Sequence, residues 1–151
     1  MRKNKSIWLY GLPNTGKTVI ANELIKHIDN CILIEGVDIR KYFPDVNYNS
    51  FDRRKIMLKQ ELVCNVLIDK GFNIVSCSVS QPSQRNKNVA YVKLVASFRV
   101  RKERDSIKNI YKNGDINNVI YKNSDFTIST NDLTVNETVD LILKVLKCPM
   151  E

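Results

Sequence analysis

The feature that most constrains this chain is an eight-residue stretch, residues 11–18, which matches the pattern G-x-x-x-x-G-K-[ST] in full. An apolar, β-favouring run over Ser6–Tyr10 precedes it, and apolar residues at helical spacing follow it over residues 17–28. A strand, a glycine loop and a helix in this order cradle phosphate, because the loop N–H groups and the helix N-terminus converge on the anion. The pattern therefore predicts a phosphate-binding loop (P-loop) directly after the first strand.

The residue types in this loop have separate roles. Lys17 is expected to meet the β- and γ-phosphates of ATP, and the Thr18 hydroxyl is expected to ligate Mg²⁺. Glycine allows backbone conformations and a close approach that a Cβ would obstruct. The predicted nucleotide-binding residues are Gly11, Asn14, Thr15, Gly16, Lys17 and Thr18.

Further apolar runs alternate with helical stretches along the rest of the chain. The runs cover Cys31–Glu35 and residues 72–79, 90–97 and 125–129. This alternation predicts an α/β fold in three layers, with a mostly parallel sheet covered by helices on both sides, as a single domain over residues 1–151. Ligands of such sheets bind beyond the carboxyl ends of the strands, so the site is expected in the loops after Tyr10, Glu35 and Val79.

Helix signals accompany the strand pattern. Apolar spacing predicts helices over residues 17–28 and 52–69, with Gly71 as the stop of the second. A capping box opening at Thr134 and completed by Glu137 predicts the start of the last helix.

Composition excludes several classes of protein. Hydrophobic residues make up 43% and charged residues 26%, which argues against a disordered chain. No apolar run approaches the roughly 18 to 20 residues of a membrane span, and residues 1–15 do not resemble a signal peptide. A cytoplasmic protein without a membrane partner is expected. The four cysteines lack C-x-x-C spacing and there is one histidine, so we predict no zinc site and reduced, structural thiols.

The net charge of +8 indicates a surface that attracts anions. Nucleic acid, acidic lipid and small phosphorylated metabolites all fit that charge, as does a plain solvated basic face. The basic residues are spread along the chain with few aromatic residues between them. The sequence therefore does not favour a nucleic-acid partner.

Beyond the P-loop, further stretches resemble the adenylyl-sulfate kinases, which transfer the γ-phosphate of ATP to the ribose 3′-hydroxyl of adenosine 5′-phosphosulfate (APS). Residues 34–40 (IEGVDIR) resemble L-D-G-D-N-[IV]-R, and residues 48–53 (YNSFDR) resemble F-S-x-x-D-R. Residues 69–75 (DKGFNIV) resemble D-A-G-x-I-V, and residues 104–111 (RDSIKNIY) resemble R-D-P-K-G-L-Y with one extra residue. The resemblance implies a three-layer P-loop kinase fold, ATP and Mg²⁺ as cofactors, a small nucleotide acceptor and a homodimer.

The same resemblance implies roles for residues outside the P-loop. Arg40 and Arg53 would hold the phosphosulfate of the acceptor, and Tyr48 would stack on its base. Ser80 lies near the family's S-P-[YF] loop, and Lys108 would approach the transferring phosphoryl group. Guanidinium forks suit oxyanions and an aromatic ring suits a base, so the residue types agree with these roles. Surface ion pairing of the arginines, packing of Tyr48 and a solvated Lys108 stay open as alternatives.

The chain departs from the family at one catalytic position. The second Asp of D-G-D aligns with Val37, which can neither orient a hydroxyl nor hold a metal. Glu35 and Asp38 are the carboxylates nearby, and Glu35, at a strand end, is the better candidate to replace it. The predicted catalytic residues are thus Lys17, Glu35, Asp38 and Lys108.

Other departures lie on the acceptor side. The family's E-N pair is Lys55-Ile56 here, its S-P-[YF] loop is Ser80-Gln81-Pro82, and the stretch between residues 111 and 125 is short. The first hypothesis is a kinase acting on APS. The second changes the acceptor to another nucleotide-linked anion such as cytidine diphosphoramidate, which a relative of this family phosphorylates in capsule modification. The third is a nucleotide-binding module without catalytic activity.

Overall fold

A computed structural model describes residues 5–105 and 126–147. Within these ranges the strands are β1 Ser6–Tyr10, β2 Cys31–Glu35, β3 Asn73–Ser78, β4 Val89–Val95 and β5 Phe126–Ser129. The helices are α1 Lys17–Leu24, α2 Gly36–Arg40, α3 Ser50–Asp69, α4 Phe98–Glu103 and α5 Val135–Lys147, and a 3₁₀ turn, Ile25–His27, continues α1. All strand pairs are parallel, in the order β2-β3-β1-β4-β5. The predicted α/β fold with a parallel sheet is confirmed; the single-domain organisation stays a prediction.

Strand β1 lies at the centre of the sheet and is buried on both faces. Ile7 and Leu9 pack into the cluster formed with α1 and α5, whereas Trp8 and Tyr10 pack into the cluster formed with α3. This follows from the strand geometry, since successive side chains point to opposite faces. Each of these side chains is at most 2% exposed, and burial of a large apolar side chain stabilises the fold by roughly 1.5–3 kcal/mol. The P-loop therefore follows a strand that is buried along its whole length.

The strand bounds agree closely with the sequence prediction. Strands β1 and β2 occupy the predicted residues, and β3 is one residue shorter at each end. Strand β4 ends at Val95 rather than at residue 97, because Ser97 is the N-cap of α4 and its Oγ accepts a hydrogen bond from the Val100 N–H at 3.3 Å. A side chain that caps a helix needs the backbone to leave the strand first.

The helix ends have identifiable causes. Helix α3 begins two residues earlier than predicted, since Asn49 Oδ1 accepts the Asp52 N–H at 2.9 Å. It is followed by Gly71 at φ +95°, in agreement with the predicted stop. The capping box of α5 is confirmed by reciprocal bonds between Thr134 and Glu137, at 3.0 and 3.1 Å. Helices α2 and α4 were not predicted, because five and six residues are too few to display a helical period.

The described thiols are structural. Cys31, Cys64 and Cys77 are free, and burial raises their pKa to about 11, 11 and 12 respectively. They are therefore protonated and weakly nucleophilic at neutral pH. Cys148 lies outside the described residues. No helix in the described part of the chain is long and apolar enough to cross a membrane.

Candidate active site

The P-loop connects β1 to α1 through a turn that depends on its glycines. Gly11 has φ +156°, and a Cβ at this position would overlap the carbonyl oxygen of Leu94 on β4. Gly16 has φ +102° and is the N-cap of α1. Asn14 has φ +66°, a left-handed conformation that Asn adopts more readily than most residues. These backbone conformations allow the tight curvature of the loop.

Side chains within the loop fix it further. Thr15 is buried, and its Oγ1 donates to the Leu12 carbonyl at 2.9 Å. Lys17 Nζ donates to the carbonyls of Gly11 and Leu12, at 2.8 and 2.9 Å. The ammonium group is therefore held over the mouth of the loop, where phosphate binds in loops of this kind.

A second contact joins the P-loop to the end of β2. Thr18 Oγ1 donates to Glu35 Oε2 at 2.9 Å. Glu35 is the N-cap of α2, and its own N–H donates to Asp38 Oδ2 at 2.8 Å. Val37 projects from the same turn and is 68% exposed. The carboxylate nearest the P-loop hydroxyl is thus that of Glu35, and Asp38 fixes the backbone that carries it.

The other candidate residues lie across a cavity of about 800 Å³ from the P-loop. Its lining includes Lys17, Thr18, Glu35, Arg40, Tyr48, Arg53 and Ser80, together with Asn14 and Gly16. Asp38 instead lines a separate groove with Tyr42 and Phe43. Gly11 and Thr15 do not line the cavity. Lys108 lies outside the described residues. Residues from the loops after β1, β2 and β3 are thus brought to one cavity, as expected for a parallel sheet.

Arg40 and Tyr48 form one unit at the rim of this cavity. The Arg40 guanidinium lies over the Tyr48 ring, 3.9 Å from its centroid. Its Nη1 also donates to the carbonyls of Val46 and Asn47, at 3.4 and 3.0 Å. Tyr48 is 75% exposed. The pair presents a cation and an exposed aromatic ring at the rim of the cavity.

Arg53 offers a different kind of donor. Its Nε is buried, and no acceptor in the described part of the chain reaches it. The residue lies in the first turn of α3 and lines the cavity. A buried charged donor without an acceptor is costly, and an oxyanion in the cavity would remove that cost.

Two groups of functional side chains were missed by sequence reasoning. Arg104 Nη1 donates to the Asn14 carbonyl at 2.9 Å, and its Nη2 donates to the Thr130 carbonyl at 2.9 Å. Thr130 is buried, and its Oγ1 donates to the Thr15 carbonyl at 2.8 Å. We name Arg104 and Thr130 the P-loop brace. Arg104 stood out only as part of a motif, without a role; no local signal marks Thr130.

Gln60 and Glu61 are the second group. Both are buried in α3, and Gln60 lines the cavity. Glu61 Oε1 accepts the N–H groups of Ser83 and Gln84, at 2.7 and 3.1 Å, which holds the loop after β3. In the sequence both residues belong to the polar run 59–61, so no local signal marks them as buried.

Comparison with known proteins assigns the family. The family model described as adenylylsulphate kinase matches residues 3–127. The adenylyl-sulfate kinase of Clostridium kluyveri is 27% identical, with 96% of this chain and 84% of the relative aligned. The probable adenylyl-sulfate kinase of Halalkalibacterium halodurans is 24% identical, over 95% and 81%.

A solved structure agrees in fold. The APS kinase of Mycobacterium tuberculosis, solved in complex with AMPPNP and APS, superposes with a TM-score of 0.78 at 18% identity, covering 98% of this chain and all of that one. The match of the family model spans far more than half of the chain. The chain therefore belongs to the adenylylsulphate kinase family and is an APS kinase-like nucleotide kinase, a phosphotransferase with an alcohol group as acceptor.

Proposed function

We propose that this kinase transfers the γ-phosphoryl group of ATP to the ribose 3′-hydroxyl of a nucleotide-linked anion, with APS as the first candidate acceptor. The observation that carries the proposal is the shared cavity: the P-loop forms one wall, and Arg40, Tyr48 and Arg53 are among the residues that line the other walls. Cations and an aromatic ring opposite a P-loop suit an acceptor that has both an anionic group and a base.

The donor set at the P-loop fits a magnesium nucleotide. No group of three or more carboxylate, imidazole or thiol side chains in the described residues could hold a metal ion alone. Mg²⁺ in nucleotide kinases needs few protein ligands, since phosphates and waters complete its octahedron. Thr18 Oγ1 would be the direct ligand, and Glu35 would hold a metal-bound water or the acceptor hydroxyl. When bound, Mg-ATP supplies the phosphoryl group and the charge of the cation.

The residues of the chain would then divide the work of transfer. Lys17 and the loop N–H groups hold the phosphates and stabilise the charge that develops on them. Glu35 accepts the proton of the attacking hydroxyl as that oxygen bonds to the γ-phosphorus and the bond from this phosphorus to the bridging oxygen breaks. Asp38 positions Glu35, because its carboxylate accepts a hydrogen bond from the Glu35 N–H. Lys108, on the segment outside the described residues, is retained as a further cation in this proposal.

A second acceptor has an observation in its favour. Ile56, which occupies the place of the family's Asn, is 3% exposed and lines the cavity. An apolar wall cannot replace the hydrogen bonds of an amide, so the surroundings of the acceptor are altered. Cytidine diphosphoramidate keeps the reaction type and changes the base and the anion, and it is the alternative acceptor.

The test is ADP release by purified protein with Mg-ATP and either APS or cytidine diphosphoramidate. We expect turnover with one of them that falls at least about 100-fold in Lys17→Ala, the size of a lost transition-state contact. Lys70→Ala is the matched control, because Lys70 is exposed and does not line the cavity. ATP binding without turnover on either acceptor would overturn the proposal and favour a module that only binds nucleotides.

A further inference from the structure

Gln60 is a polar residue in the floor of the cavity. It is 2% exposed and lies on the buried side of α3, one turn after Ile56 and one turn before Cys64. The cavity is lined by Gln60 and by its neighbours Ile56 and Met57. A polar side chain at such a position needs defined hydrogen-bond partners.

The orientation of the Gln60 amide is fixed by its neighbours. Nε2 donates to Ser76 Oγ at 2.7 Å and to the Cys77 carbonyl at 2.8 Å. Ser76 Oγ in turn donates to the Ile34 carbonyl at 2.7 Å, so its hydrogen is already committed. A flipped amide would place Oε1 against a carbonyl oxygen and a hydroxyl oxygen that has no hydrogen left to donate. Oε1 therefore points away from β3.

Oε1 lies on the side of the amide next to Gly36. A Cβ built on Gly36 would be 3.8 Å from Oε1, and Gly36 lines the cavity as well. Among the described residues, none donates a hydrogen bond to Oε1; the bonds of Gln60 all run through Nε2. Gln60 thus presents to the cavity a fixed acceptor that receives no hydrogen bond from the described residues.

The position of Gln60 relative to Glu35 indicates which part of a bound ligand would contact Gln60 Oε1. Two of the strand residues around the amide are neighbours of Glu35: Ile34 precedes it, and Cys77 pairs with it across the sheet. The Cys77 thiol also contacts the Lys17 carbonyl, with 3.8 Å between Sγ and oxygen. Gln60 therefore lies at the transfer end of the cavity, whereas the exposed ring of Tyr48 lies at the rim.

We propose that Gln60 Oε1 accepts a hydrogen bond from the ribose 2′-hydroxyl of the acceptor, next to the 3′-hydroxyl that is phosphorylated. This inference rests on the proposed function and deepens it, since it requires a ribonucleotide with a free cis-diol and disfavours 2′-deoxynucleotides. The alternative donor, an exocyclic amino group of the base, belongs to the part of the acceptor that stacks at the rim.

The test compares equilibrium binding of APS with that of its 2′-deoxy analogue by calorimetry. We expect the wild-type protein to bind the ribonucleotide about 10- to 100-fold more tightly, as for a buried acceptor that loses its donor. In Gln60→Leu the two affinities should come within about 3-fold of each other. Gln84→Leu is the matched control, because Gln84 is exposed and does not line the cavity. The same comparison is made with cytidine diphosphoramidate and its 2′-deoxy analogue.

Two outcomes would overturn the inference. Equal binding of ribo and deoxy ligands by the wild-type protein is one, and it needs no variant, so a Gln60→Leu protein that fails to fold does not remove the test. The other is a Gln60-dependent loss on removing the base amino group, with inosine 5′-phosphosulfate as probe, and none on removing the 2′-hydroxyl. ADP release is measured separately: a 2′-hydroxyl preference in binding without turnover would support the role of Gln60 and contradict the proposed function.

Discussion

The nucleotide side and the acceptor side of the cavity are built in different ways. The P-loop is held by backbone geometry and buried hydrogen bonds: Thr15 is 1% exposed and Thr130 is 4% exposed. The rim of the acceptor side consists of side chains at the surface, with Val37 and Tyr48 mostly exposed and Arg40 tied to loop carbonyls, whereas its floor includes the buried Ile56 and Gln60. Substitutions at exposed side chains cost little stability, whereas changes at the loop disturb the core. Side chains at the rim can therefore be replaced at a lower cost in stability than those that hold the P-loop.

The largest effect is expected where the two sides meet. Glu35→Gln keeps the shape but removes the charge that would accept the proton, so we expect kcat to fall about 10²- to 10⁴-fold with a small change in the KM for ATP. Steady-state ADP release measures both constants. Glu103→Gln, at the exposed end of α4, is the control. An unchanged kcat would assign proton transfer to another group.

A smaller effect on activity is expected from a substitution that removes a hydrogen bond supporting the P-loop. Thr130→Val removes the 2.8 Å hydrogen bond to the Thr15 carbonyl and the hydroxyl beside Arg104. The loss of a buried hydrogen bond destabilises a protein by about 1–3 kcal/mol. Urea unfolding should record this loss, and the KM for ATP should rise while the KM for the acceptor stays constant. An equal rise of both KM values would show that the two sides are not separable.

A substitution on the acceptor side should change the KM for the acceptor and leave the stability of the fold nearly unchanged. Tyr48→Ala removes a ring that is 75% exposed, so stability should change by no more than about 0.5 kcal/mol. Loss of stacking on a base costs about 1–3 kcal/mol, so the KM for the acceptor should rise about 10-fold. Kinetics with varied acceptor at saturating ATP measure this change. A lower unfolding midpoint with unchanged kinetics would mean that Tyr48 only packs.

The smallest effect concerns Cys77, which lies beneath both sides. Its pKa is about 12 in the fold, raised chiefly by burial, against 9.0 for the exposed thiol. Between these pH values the folded state keeps a proton that the unfolded chain loses. The contribution of the Cys77 thiol to the free energy of unfolding is therefore complete below pH 9 and is lost as the pH rises from 9 towards 12. Urea unfolding at pH 8 and pH 10 should show a decline that is reduced in Cys77→Ala. A decline of equal slope in that variant would assign it to other groups.

The sequence predicted what local patterns encode. The P-loop pattern located the glycines, Lys17 and Thr18. The predicted end of β2 located Glu35 at the same edge of the sheet. The P-loop brace was missed because Thr130 meets Thr15 across 115 residues, a contact that no local period contains. Gln60 was missed because one polar residue does not alter the apolar pattern of a helix with twenty residues. Long-range polar contacts decide these positions, and only the fold brings them together.

The hydrogen bond between Thr18 and Glu35 has a consequence for how the two substrates influence each other. In the proposed function the Thr18 hydroxyl serves the nucleotide and the Glu35 carboxylate serves the acceptor, yet in this structure the two groups are hydrogen-bonded to each other. A ligand that draws either group away alters what the other can bind. Thermodynamic linkage requires this influence to be mutual, so each substrate changes the affinity for the other by the same factor. Under the proposed function, this one hydrogen bond of 2.9 Å therefore couples the binding of the donor to the binding of the acceptor.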